Sequence, residues 1–179
     1  MADLLEQVEL PQCTVLNASS DHTLRHALDA ESRDDPSKFL ESDADEELLI
    51  HITFMQAVKI SHLHIAGVDG ATAPSGVRLF VNKVGLDFDS AKSDKPTQEL
   101  TFTAAQVAAG AKPAELRYVL FQNVQTLGIF IPGNLGDEEQ TRVSKIMLVG
   151  ETIVHSGLKR SAEEQAASTK GDWLGKGIA

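Results

Sequence analysis

The stretch Leu48–Gly67, LLIHITFMQAVKISHLHIAG, is the densest run of β-branched and large apolar residues in the chain, and it directs the chain toward a β-rich fold. Leu48, Ile50, Ile52 and Phe54 recur with period two and share one face, with Leu49, His51, Thr53 and Met55 on the other. After Gln56 the apolar set restarts at Val58 and Ile60, then shifts phase to Leu63 and Ile65, which a bulge near Ser61 and His62 explains. The spacing predicts a core strand, a polar corner at Gln56 and a bulged second strand.

The remaining segments read in the same way. Leu24 and Leu28, four apart behind a Ser or Asp cap, predict one or two helical turns. Residues 29–47 are acidic and broken by Pro36, a solvated loop with Phe39 and Leu40 tacked onto the core. Val77, Leu79 and Val81 alternate with Arg78, Phe80 and Asn82 as a third strand, and the polar 83–98 segment predicts a long exposed loop in which Leu86 and Phe88 dip inward. A short strand over Glu99–Phe102 precedes a helical turn over Thr103–Ala109, which Gly110 and Pro113 end. Leu116–Leu120, Leu127–Ile131 and Val143–Val149 supply further strands. Nothing alternates with long helices, so the fold class is all-β, an antiparallel sandwich with short helical turns. One domain over residues 1–157 and a mobile tail over 158–179 is the expected organisation for a chain of 179 residues.

Charge and cysteine content exclude whole classes of function. The chain carries 16 Lys and Arg against 26 Asp and Glu, a formal net charge of −10, which repels a phosphate backbone and an anionic bilayer alike. The single Cys13 forms no internal disulfide, and the N-terminus MADLLEQVEL lacks the basic start and long apolar core of a secretory signal. A reducing compartment is therefore expected.

Chemistry-bearing patterns are sparse. His62 and His64, two apart, would share a strand face, but two imidazoles without a further ligand set are no metal site, and His51 reads as a solvent-side residue. Asp43-Ala44-Asp45-Glu46-Glu47 resembles the opening of a calcium loop, yet Leu48 stands where the turn requires Gly and Phe54 where it requires Glu. Cys13 lies among Leu10, Pro11, Val15 and Leu16, the setting of a buried structural thiol. No G-x-S-x-G, H-E-x-x-H or phosphate-cradling Gly-rich loop is present, so neither a catalytic residue nor a cofactor is expected. With one Trp, one Tyr and 7 Phe the chain is poorly equipped for sugar stacking. Gln56, Gln122, Asn123, Gln125 and Asn134 gather beside strand ends, where amides satisfy backbone groups or face a partner. Trp173, alone in a Gly-flanked stretch, is what a short linear motif uses as an anchor.

Taken together, Ser42-Asp43-Ala44-Asp45-Glu46-Glu47-Leu48-Leu49-Ile50, Phe54-Met55-Gln56-Ala57-Val58-Lys59-Ile60, Val77-Arg78-Leu79-Phe80-Val81-Asn82, Phe121-Gln122-Asn123-Val124 and Leu127-Gly128-Ile129-Phe130-Ile131 resemble the PITH domain family over roughly residues 4–155. Cys13 to Asn17 is similar to the family's Cys-Leu-Asn element, with Thr14 and Val15 inserted before Leu16. The resemblance implies a jelly-roll β-sandwich similar to galactose-binding-like folds, cytosolic or nuclear and without a catalytic role; a monomer is expected. It also implies a protein partner, the 26S proteasome or a related large assembly. The longer members' redox motif, Trp-Cys-x-x-Cys, is absent from this chain. The candidate partner-binding residues are Asp43, Asp45, Glu46, Gln56, Gln122, Asn123, Asn134 and Trp173. The alternative is a small-ligand or carbohydrate-binding sandwich with its site near the 83–98 loop.

Overall fold

Twenty consecutive extended residues, Leu48–Gly67, form the strand from which both layers of the fold are built. The computed structural model describes residues 1–153. Trp173, the tail from Leu158 and the domain boundary at 157 lie outside the described residues. In chain order the strands are β1 (Ala2–Asp3), β2 (Thr14–Leu16), β3 (Leu40–Glu41), β4 (Leu48–Gly67), β5 (Gly76–Val81), β6 (Gln98–Thr101), β7 (Ala114–Glu115), β8 (Val124–Ile131) and β9 (Arg142–Thr152). Two short helices, α1 (Leu24–Leu28) and α2 (Phe88–Ser93), lie between them.

Every pairing is antiparallel, along the path β1-β9-β4-β8-β5-β6, with β2 and β7 also on β4 and β3 on β9. The first half of β4, Leu48 to Thr53, pairs with β8 and β2, and the second half, Val58 to Gly67, pairs with β9 and β7. The sheet thus curls into two layers that share β4, a strand that changes layer at a bend. The two strands read from sequence are one. Its register breaks between Thr53 and Val58, at the Gln56 corner, and again between Ile60 and His62, where the expected bulge lies. That bulge is why Ile60 and Leu63, three apart, both face the core.

The interlayer core holds Leu48, Ile50, Ile52, Phe54, Val58, Ile60, Leu63 and Ile65 from β4 together with Phe121, Leu127, Ile129 and Ile146. A second, smaller cluster of Leu49, Phe80, Leu86, Ala91 and Phe130 lies on the other face of the β4–β8–β5 layer. It exists because residues 83–94 fold back over that face. Here the structure departs from the expected exposed loop: α2 starts at Asp87, whose Oδ1 accepts from the Ser90 amide at 2.8 Å while Ser90 Oγ accepts from the Asp87 amide at 3.0 Å. Leu86 and Phe88 do turn inward. Gly128 on β8 makes room, since a Cβ there would fall 2.5 Å from Leu86 Cδ2.

Two further expectations are corrected. Ala114–Glu115 is the strand, and Tyr118–Leu120 is a 3-10 turn, because Leu116 alone of that segment is buried while Val119 is 80% exposed. Residues 103–111 form two successive turns closed by Gln106 N–H to Thr103 O (3.0 Å) and Ala111 N–H to Ala108 O (3.0 Å), and no helix. α1 appears where expected, but its N-cap is Thr23, without a side-chain cap bond.

Candidate functional site

A buried polar clamp gathers the acidic segments at one end of the sandwich. Thr141 is fully buried; its amide donates to Ser42 Oγ at 2.9 Å and its hydroxyl to the Glu46 carbonyl at 2.7 Å. Asn134 Nδ2 donates to Glu138 O (2.9 Å), Gln140 O (3.2 Å) and Thr141 Oγ1 (3.2 Å), while Asn134 Oδ1 accepts from the Glu138 amide at 2.7 Å. On the other side Asn17, in the left-handed region at φ 68°, donates to Asp45 Oδ1 and Glu47 O, each at 2.7 Å, and accepts from the Ala44 amide at 3.0 Å. These bonds hold two loops, 42–47 and 134–141, side by side.

The result is an exposed acidic surface. Asp43, Asp45 and Glu46 stand beside Asp137, Glu138 and Glu139, all exposed, and none of the six makes an ion pair among the described residues. The cations nearby are engaged: Lys92 with Glu47 at 2.8 Å and Arg142 with Glu41 at 2.5 Å, the Arg142 guanidinium lying 5.3 Å from the Phe39 ring centre. An open depression of about 540 Å³ adjoins, with Asp69, Thr72, Glu138 and Arg142 in its lining. Backbone N–H groups of Thr72 and Ala71 bond the Asp69 carboxylate and hold its pKa below the usual range.

The three remaining described candidates sit at the other end. Asn123 and Asn134 flank opposite ends of β8, and Gln56 lies where Thr53 pairs with Thr126 and Val58 with Val124. Gln56 donates to Gln7 Oε1 at 2.8 Å and Gln122 to Tyr118 O at 2.6 Å, so each amide holds one bond within the fold. The Asn123 carbonyl accepts from Asn82 at 2.8 Å. Met55 and Val119 are exposed at this end, and Tyr118 Oη donates to Glu151 at 3.1 Å. The candidate list therefore divides into an acidic end with Asp43, Asp45, Glu46 and Asn134 and an amide end with Gln56, Gln122 and Asn123. Sequence reasoning treated Asp137–Glu139 as a separate turn and, although Asn17 and Thr141 fall in segments that resemble the family, did not place either among the candidate site residues. The signal available was an Asn before the acidic run and a Thr at the start of the last strand.

Histidines and cysteine play structural parts. His64 is buried, its Nε2 3.1 Å from the Ala108 carbonyl, rather than on a half-exposed face. His51 is half-buried rather than facing open solvent. Burial pulls both below the ordinary imidazole value of 6.5. Cys13 Sγ lies 3.5 Å from Glu9 O and accepts from the Thr53 amide at 3.4 Å, and burial pushes its thiol up, away from nucleophilic character. Among the described residues no group of three or more His, Cys, Asp or Glu could hold a metal ion, and no helix is long and apolar enough to cross a membrane.

The histidine shifts carry a sign. A folded imidazole held below 6.5 binds fewer protons than the unfolded one, so stability is complete above that pH and falls as pH drops through 6.5 toward the folded value. The urea midpoint should therefore fall between pH 7.5 and 5.5, and His64→Gln should flatten the fall. An unchanged slope in that variant would assign the pH dependence elsewhere.

The layers and the shared strand define an antiparallel jelly-roll β-sandwich. A family 32 carbohydrate-binding module from Clostridium perfringens NanJ, solved in complex with galactose, superposes with a TM-score of 0.59 at 8% identity, over 82% of this chain and 97% of that one. The family profile described as the PITH domain matches residues 1–167, and the chain belongs to that family. It is 39% identical over 155 residues to Thioredoxin-like protein 1 of Schizosaccharomyces pombe, covering 85% of this chain and 52% of that protein. It is 36% identical over 146 residues to PITH domain-containing protein 1 of Homo sapiens, covering 81% and 67%. This chain thus spans about half the length of the fission yeast relative, and neither relative's name states an enzyme activity.

Proposed function

We propose that this chain is a non-enzymatic protein-interaction domain, monomeric and cytosolic or nuclear, that docks on the 26S proteasome or a related large assembly through its acidic end. Membership of the PITH family carries the reading. The choice of end rests on the exposed, unpaired carboxylates of residues 43–46 and 137–139, against amides at the other end that are already bonded within the fold. A dense set of like charges steers a basic surface into contact and weakens as salt screens it beyond roughly 10 Å.

Affinity purification with the tagged chain from cell lysate at low salt should recover proteasome subunits. The triple variant Asp43→Lys, Asp45→Lys, Glu46→Lys should lose most of them, and Gln56→Ala should not. Recovery of no proteasome subunits by the intact chain would sink the reading.

The likeness to a module solved with galactose supports a second reading, a carbohydrate-binding sandwich. Against it, the acidic end presents no Trp or Tyr among the described residues, and the 83–94 segment is packed over Phe80 and Phe130. A specific glycan-array hit, absent in a variant with Asp69 and Glu138 changed to Ala, would promote it over docking.

A further inference from the structure

One edge of the sheet stays open along its backbone. β1, β2, β3 and β7 each pair on one side only and have two or three residues, whereas β6, which pairs only with β5, has four. Short edges resist strand addition, so β6 is the exception. In the register that sets Thr101 opposite Gly76 and Gln98 opposite Leu79, the Phe102 amide bonds Ser75 O at 2.8 Å, which makes Gln98 and Leu100 the residues bonded to β5. The amides and carbonyls of Glu99 and Thr101 therefore point away from β5. Both residues are exposed, and none of these four groups has a partner among the described residues. The strand is fastened at both ends: Thr97 donates its amide to Leu79 O at 2.7 Å, Gln98 Oε1 accepts from the Arg117 amide at 2.8 Å, and Phe102 is buried in the core. A rigid edge loses little conformational freedom when a strand is added.

Charge defines what that strand carries. Among the described residues every Lys and Arg makes an ion pair except Lys95, Lys112 and Arg117, all exposed and all in segments that flank β6 or bond to it. Lys95 and Arg117 stand at the Gln98 end, Lys95 shortly before it in the chain and Arg117 through its amide bond. The Glu99 carboxylate is answered by Arg78 at 3.8 Å. The Thr101 end runs toward the acidic loops, since Ser75, which bonds Phe102, donates its own amide to Gly133 O at 3.1 Å, next to Asn134. The edge is thus cationic at one end and acidic at the other, in a chain whose net charge is −10. An added strand that carries carboxylates finds its counter-charges only at the Gln98 end.

We propose that β6 receives an extended segment of a partner protein, antiparallel to it, bonded to the backbone of Glu99 and Thr101 and carrying carboxylates at its C-terminal end for Lys95 and Arg117. Amide NMR on the full chain, titrated with the end-capped peptide Thr-Val-Thr-Val-Glu-Glu, tests this. The Glu99 and Thr101 amides should shift most and saturate at millimolar peptide or below. Replacing the Glu pair by Lys, or moving it to the N-terminal end, should weaken binding about tenfold, and Arg117→Glu should weaken the original peptide about fivefold. Peptides N-methylated at the Val amides or at the Thr amides should differ, one losing binding and the other keeping it, because only one edge of the added strand faces β6. That control leaves the protein itself unaltered. No shift at Glu99 and Thr101 in millimolar peptide, or equal binding of the two methylated peptides, would overturn the edge. Equal binding of the Glu and Lys peptides refutes the acidic partner. Shifts at these amides that grow with protein concentration in the absence of peptide give the edge to a second copy and refute it as well.

Discussion

Phe121→Ala should lower the unfolding free energy by about 3–5 kcal/mol, the cost of emptying a fully packed aromatic site. Phe121 has no exposed surface and sits in the interlayer core. Its carbonyl also accepts from the Ile60 amide at 3.0 Å, so it fixes the entry to β8 against the second half of β4. Truncation leaves a void bounded by two layers that share a strand and cannot close independently. The expected observation is a large drop in urea midpoint with an unchanged m-value. Phe121→Leu should cost much less, because most of the volume stays. A loss under about 1 kcal/mol for the alanine variant would mean that the site relaxes and that Phe121 does not join the layers.

Gly150→Ala should cost about 3 kcal/mol or more although it adds one methyl group, because the obstacle is backbone. A Cβ at position 150 would stand 1.9 Å from the Lys59 carbonyl oxygen and 3.0 Å from Leu4 Cδ1. Gly150 pairs with Ile60 on one side and Ala2 on the other, at the edge of the Ser61 bulge. A side chain there forces β9 away from β4 or releases β1. Amide exchange should report it as lost protection at Leu4, whose N–H donates to Leu148 O at 2.8 Å, and along residues 58–62. Retained protection and a midpoint within experimental scatter of the parent would refute the close approach.

The architecture was legible wherever side-chain period decides it. The two-residue alternation of Leu48 to Phe54 and the phase shift after Ile60 specified inner faces and a bulge, both of which the structure contains. Continuity through Gln56 was hidden because the corner residues are polar or exposed in either case. The Phe88–Ser93 helix was missed for a related reason. Its apolar content is Phe88 and Ala91, and it is stabilised by Leu86 on Gly128 and by contacts with Phe80 and Phe130 far along the chain. Tyr118–Leu120 has strand-forming residues but no partner strand, so propensity yielded to tertiary pairing. At the candidate site the acidic residues were visible as runs, but their assembly was not. It depends on Asn17, Ser42, Asn134 and Thr141, which lie up to 124 positions apart (141 − 17) and meet only when β8 and β9 have closed on β4.

That β4 belongs to both layers also sets the order of events in synthesis. Its partners β8 and β9 begin 57 and 75 residues downstream of Gly67 (124 − 67 and 142 − 67). Neither layer can close locally, and such long-range pairing folds slowly. At roughly 5–20 residues per second the nascent chain holds this apolar strand for several seconds without its two long partners, with only the three-residue β2 available upstream. The strand that unites the finished domain is also its segment of greatest exposure to aggregation, and a ribosome stalled before residue 142 leaves its second half without β9.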